Sequence, residues 1–192
     1  MDLYPIALYL HFLAVVAAVS AATILQFNTS RLRRASTVGQ AREAAGTIAR
    51  VAPVMPIIAL ALFATGAYLV SLRWGWRHGW VSAGIAGLLS MPLVTLILLK
   101  PRLMALGKSL GAAKDGPIDD AQSAAINSGV IRGVMTYNHL MALAIMLVMV
   151  VKPETLGASF GVLLVAPALA LVAGMTTKRP AKSVRPAVSE QA

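Results

Sequence analysis

Residues 3–30 read LYPIALYLHFLAVVAAVSAATILQFNTS, a run of 28 without Asp, Glu, Lys or Arg. A bilayer core of about 30 Å is crossed by about 20 helical residues rising ~1.5 Å each. A membrane strand would alternate polar and apolar over roughly ten residues, and this run does not. It predicts a spanning helix, whose backbone satisfies its own hydrogen bonds as lipid requires.

Four more charge-free runs follow, at 51–72, 78–99, 133–151 and 155–177. All reach or approach the spanning length. The expected fold is therefore all-α, a polytopic membrane helical bundle of five transmembrane helices. The spans are placed at about 4–26, 51–72, 79–99, 133–151 and 155–176, in a single domain over 1–177. Only Lys152, Pro153 and Glu154 separate the last two spans. That predicts a tight hairpin, since Pro153 cannot continue a helix. A peripheral or re-entrant fifth element is the alternative. Residues 178–192, with Pro180 and Pro186, read as a disordered basic cytoplasmic tail.

Composition agrees. Apolar residues make up 58% and charged ones 12%, where soluble domains carry ~25% charged. Half the usual charge does not cover a soluble globule, and the absence of cysteine excludes a disulfide scaffold. The net charge is +10, but the Lys and Arg residues sit between apolar runs and form no single basic face. No nucleic-acid partner is expected.

Lys and Arg instead alternate in density between the spans. Five follow span one, two follow span two, five follow span three, one follows span four and four lie in the tail. The positive-inside rule puts the rich side in the cytoplasm. The expected location is the cell inner membrane, multi-pass, with the amino terminus outside and the carboxyl terminus cytoplasmic. The partners are then the lipid bilayer and, at the basic loops, anionic lipid head groups. Span one reads as an uncleaved helix, because its amino end carries Asp2 and no Lys or Arg.

The long loops predict helical extensions. Thr37 to Gln40 has capping-box spacing, so helix two starts in the cytoplasm and bends near Pro53 and Pro56. Lys114-Asp115-Gly116-Pro117 is a turn signal. Asp119 or Asp120 then caps a long helix four, running through Ala121–Ile131 into its span. Trp74, Trp76 and Trp80 read as an interfacial aromatic belt.

Two intramembrane histidines carry what chemistry there is. His11 shares a helical face with Ala7, Ala14, Ala18 and Ala22, small residues that let helices approach. It is expected to point into the bundle, either as a ligand or as a hydrogen-bonded structural imidazole. His139 shares a face with Met135, Ala142, Met146 and Met149. Imidazole with thioethers suits Cu(I), and either group ligates haem iron; the same Met stripe also fits plain packing. The candidate cofactor-binding residues are thus His11 and His139. The candidate metal ligands are His139, Met135 and Met146, and the cofactor is haem b or copper. Taken from mid-span, the two histidines differ by roughly 9 Å in depth, so a shared site and two separate sites both stand. His78 reads as solvated. Gly157 and Gly161 form a GxxxG pair able to seat a helix within the chain, in a homo-oligomer or on a partner membrane protein.

No span contains a carboxylate, and HExxH, GxSxG and phosphate-loop motifs are missing. An enzyme is not the expectation; a structural or accessory subunit is the alternative to a cofactor binder.

Several short stretches together resemble one family. They are Leu10-His11-Phe12-Leu13, Arg31-Leu32-Arg33-Arg34, Thr65-Gly66-Ala67-Tyr68-Leu69, Trp76 with Trp80, and Pro101-Arg102-Leu103. Over about residues 3–151 the chain is similar to small bacterial integral membrane proteins of the CopD-like (copper-resistance D) group, nearest its uncharacterised members. The resemblance implies haem or copper binding. The broad group includes haem-binding protoporphyrinogen oxidases and copper-uptake proteins. In the oxidase branch His11 would match the haem-ligating histidine of the first span. The further polar or basic residues of that branch have no counterpart in spans two and three, where Met55, Pro56, Ser90 and Met91 come nearest.

Overall fold

Pro5 sits in the first turn of α1 (Tyr4–Arg34), where its missing N–H would have had no partner. Arg31, Arg33 and Arg34 close the helix, and their charge suits the negative end of its dipole. At 31 residues α1 is about 46 Å long and outruns the expected span by two turns. The computed structural model describes residues 3–176, and these form helices without a strand. The expected disordered tail, 178–192, lies outside the described residues.

Helix two begins outside the span, as its loop composition suggests. Thr37 caps α2 (Val38–Val51), its hydroxyl accepting from the Gln40 N–H. The return bond is shifted by one residue, with Gln40 Oε1 accepting from the Ser36 N–H at 3.0 Å. The chain breaks at Ala52 and Pro53 before α3 (Val54–Arg73). Pro56 falls in the first turn of α3, where a proline is tolerated.

The third span differs from expectation. α4 (Gly79–Val94) passes through a π-helical turn (Thr95–Leu99) into α5 (Lys100–Ala112). It therefore projects beyond the span much as helix two does. Pro92 and Pro101 flank the π turn and each withdraws a backbone donor. The Arg102 guanidinium donates to the Leu98 carbonyl at 2.6 Å.

The fourth helix is split. Asp119 caps α6 (Asp120–Ile126) in a full capping box with Gln122. The continuous helix expected through Ile131 stops at Asn127, whose amide donates to the Ser123 carbonyl at 3.0 Å. Asn-Ser-Gly is turn chemistry, and α7 (Gly129–Val151) restarts after it. α8 (Leu156–Met175) completes the fold. Five helical stretches are long and apolar enough to cross a bilayer, which makes this a multi-pass membrane protein.

Packing is uneven. α7 lies along α8 and α4, and glycines set the distance. A Cβ at Gly133 would stand 3.2 Å from the Ala170 carbonyl oxygen, and one at Gly174 would stand 3.2 Å from that of Gly129. Gly84 receives the Met149 methyl and Gly87 receives Ile145. Among the described residues a Cβ at Gly157 or Gly161 would meet nothing within 4 Å, so the GxxxG pair seats no helix there. α1 packs on α3 and α2 instead.

Two rims tie these halves together. At one, Lys152 adopts a left-handed conformation (φ 50°, ψ 61°) to turn the α7–α8 hairpin. Its Nζ lies 4.7 Å from the Trp74 ring and 5.8 Å from that of Trp80, a cation–π contact. Trp80 is 5% exposed and belongs to the core, with Trp74 packed against it. The expected aromatic belt thus reduces to Trp76, which is 49% exposed. At the opposite, basic rim a second core joins Leu32, Val38, Ile48, Leu106, Leu110 and Ile126. Arg42 holds it, donating to the Leu110 and Ala113 carbonyls and to Asp115.

Candidate intramembrane histidine and polar sites

His11 lies on α1 against α3. Its Nδ1 is 2.9 Å from Thr65 Oγ1, and a Cβ on Gly66 would sit 3.3 Å from its Cε1. Gly66 thus makes room for the ring. The Thr65 hydroxyl has one proton, and the Ala61 carbonyl, 2.7 Å away, takes it. Oγ1 must then accept from the imidazole. The Nδ1–H tautomer is the one that completes this chain of hydrogen bonds. A carboxylate, carbonyl or hydroxyl that fixes the tautomer in this way is the usual second-shell support of a ligating histidine.

Thr65 also lines an open apolar depression of about 310 Å³ between α1 and α3, with Ala7, Leu10, Ala64 and Tyr68 along it. Ala7 and Ala64 leave the space that larger side chains would fill.

His139 is half-buried on α7. It lies one turn from Met135, which borders a second cavity at the basic rim. Met135, His139 and Met146 share a face, and each is half-buried. Their spacing matters more than the shared face. Residues four apart on a helix are neighbours, so Met135 and His139 can approach one ion. Met146 is two turns further, about 10 Å along the axis, and would serve the next position up. Met149 belongs to the packing, since its methyl fills the notch at Gly84.

The histidines sit on different elements. Counted from the Tyr4, Trp74 and Lys152 rim, His11 is seven residues deep and His139 thirteen, a difference of about 9 Å. Two nitrogens on one metal stand about 4 Å apart, twice a ~2 Å bond. His11 also turns its ring toward α3. Among the described residues no group of three or more His, Cys, Asp or Glu comes together.

His78 is exposed, as its loop position suggests. Its Nε2 is 2.9 Å from the Trp74 carbonyl and its ring stacks on Trp80 at 6.1 Å.

A polar line between α4 and α7 escaped the reading of the sequence. The Tyr137 hydroxyl donates to Ser90 Oγ at 2.6 Å, and Ser90 donates to the Gly87 carbonyl at 2.7 Å. Asn138 Nδ2 donates at 3.0 Å to the hydroxyl of Thr95, the first residue of the π turn. Asn138 Oδ1 is buried and without a partner. Tyr137-Asn138-His139 is three polar-tipped residues in a row inside an apolar run, and that clustering was the signal available.

Comparison with protein-family models, with curated proteins and with solved structures finds no match.

Proposed function

We propose that this chain is a haem-binding membrane protein, with Nε2 of His11 as the iron ligand. One observation carries the reading. The Thr65 hydroxyl, its own proton directed at Ala61, is placed to accept from His11 Nδ1, and that tautomer would leave Nε2 as the ligating nitrogen. One imidazole suffices as an axial ligand to haem iron, whereas a copper ion needs two or three ligands. An open apolar depression that shares Thr65 lies beside it and suits an apolar ring. The likeness to the CopD-like group supports the same reading.

A second reading places copper on α7, where His139 and Met135 are one turn apart with Met146 beyond. It is favoured by the soft donor set alone. An oxidase acting on porphyrinogen rests on the resemblance and has no further residue to support it. In each reading the basic rim faces the cytoplasm of a bacterial inner membrane, which puts the amino terminus outside.

The test is the absorption spectrum and metal content of detergent-purified protein from cells supplied with iron and copper. A Soret band near one haem per chain, lost in His11→Ala and kept in His139→Ala, is expected. Stoichiometric copper without a Soret band, lost in His139→Ala, selects the second reading. A colourless, metal-free, folded sample overturns both and leaves an accessory subunit. A reporter fused after Ala192 is expected to be active only on the cytoplasmic side.

A further inference from the structure

At the basic rim, α1, α7 and α8 enclose a cavity of about 300 Å³. Its wall includes Gln26, Ser30 and Arg33 from α1, Arg132 and Thr136 from α7, and Ala173 from α8. No Asp or Glu lines it. This sets Arg33 and Arg132 apart from their neighbours. Arg31 pairs with Glu43 at 3.2 Å and Arg42 with Asp115 at 3.0 Å. Among the described residues neither Arg33 nor Arg132 has a carboxylate partner, yet they are close enough for their charges to repel. Arg132 is held in place, donating through Nη1 to the Thr176 carbonyl at 2.7 Å. That bond leaves the rest of its fork of donors for another acceptor.

Two guanidiniums suit a doubly contacted oxyanion, and with the Ser30 and Thr136 hydroxyls beside them on the same wall they describe one ligand chemistry.

We infer that this cavity is a binding site for a phosphate ester anion. Arg33 and Arg132 contact the phosphate oxygens, and Ser30 and Thr136 add hydroxyl donors. The cavity lies at the ends of spanning helices, at the depth of lipid head groups, and Met135 and Ala173 give it an apolar side. A phosphatidylglycerol head group has the required charge, and free phosphate has the same charge chemistry. The inference is independent of the haem reading, since none of these residues touches His11.

The experiment uses the full chain in nanodiscs of phosphatidylcholine, with and without phosphatidylglycerol, and separately with inorganic phosphate added to phosphatidylcholine discs. Thermal midpoint and lipid retained in native mass spectrometry are read. Phosphatidylglycerol is expected to raise the midpoint and stay bound. Arg33→Gln with Arg132→Gln weakens that response about tenfold or more. Ala173→Phe, which fills the cavity with both arginines intact, does the same. Arg50→Gln, at an exposed arginine outside the cavity, leaves it unchanged. Protection by inorganic phosphate with the same variant pattern identifies free phosphate as the source. Protection by phosphatidylglycerol alone identifies the lipid. A response that survives both the double substitution and Ala173→Phe is diffuse surface attraction and overturns the site. Should the double variant fail to fold, Ala173→Phe decides.

Discussion

The two halves of the bundle are packed by different rules. In the most apolar stretch of α1 only 6% of residues are buried, against 22% in each of the helices built on α4, α7 and α8. The tight half brings backbones together at Gly133 and Gly174 and fits side chains into Gly84 and Gly87. The loose half is α1 on α3, where His11 meets Thr65, Arg73 lies over the Tyr4 ring and an open apolar depression runs alongside. Within a membrane, apolar side chains gain little by leaving lipid for protein, so close packing and polar bonds decide which helices hold together. The contrast teaches that the same mean hydropathy can build a rigid scaffold and an adjustable face. His11 is on the adjustable face.

The largest effect should come from wedging the tight half open. Gly133→Leu places its side chain against the Ala170 backbone, and overpacking of this kind costs about 3 kcal/mol. A large fall in thermal midpoint, or loss of the monodisperse species in detergent, is expected. A midpoint close to that of the parent would show that α7 and α8 are not locked by close approach.

The next effect belongs to the loose half. Thr65→Val removes the hydroxyl that orients His11 while keeping the volume. Second-shell changes typically weaken metal affinity 10–100-fold, so haem retention should drop by about that factor in a competition with apomyoglobin. The thermal midpoint of the cofactor-free protein should hardly move. Unchanged haem affinity would detach Thr65 from the site.

Tyr137→Phe breaks the bond to Ser90 across α4 and α7. Side-chain hydrogen bonds between membrane helices average about 0.6 kcal/mol, so a shift of one or two degrees is expected. Smallest of all should be Gly161→Leu, where nothing lies within 4 Å. The monomer's stability should stay within about 0.5 kcal/mol. A marked change in that variant would reveal a second chain seated on the Gly157 and Gly161 face.

Much of this was legible beforehand, for a physical reason. Charge is too costly in lipid to be scattered, so five charge-free runs betray five spans whatever their partners. Thr37 and Asp119 could be read as caps because capping is local. Neighbours across the bundle could not be read. By composition Trp80 reads as a belt residue, yet Lys152, 72 positions later, lies over its ring. The GxxxG spacing of Gly157 and Gly161 is shared by no contact, while Gly133 and Gly174, 41 positions apart, touch. Arg33 and Arg132 looked like topology signals, since nothing local distinguishes them from Arg31 or Arg42. Tyr137 and Asn138 were hidden because one aromatic and one amide barely lower the mean hydropathy of their run. His11 was visible because an imidazole in an apolar helix stands out; Thr65, its partner, was not.

The π turn at Thr95–Leu99 has a consequence for how the chain counts. Such a turn holds one residue more than an α-helix uses to reach the same place, so α4 and α5 carry a spare. Dropping one residue at the exposed Leu98 position would let the segment relax to ordinary winding, with Leu106 and Leu110 still facing the second core. The same omission elsewhere in α4 or α5 would rotate everything beyond it by about 100° and turn those leucines away from Ile48. One stretch of this span can therefore absorb a lost codon that the rest of it cannot.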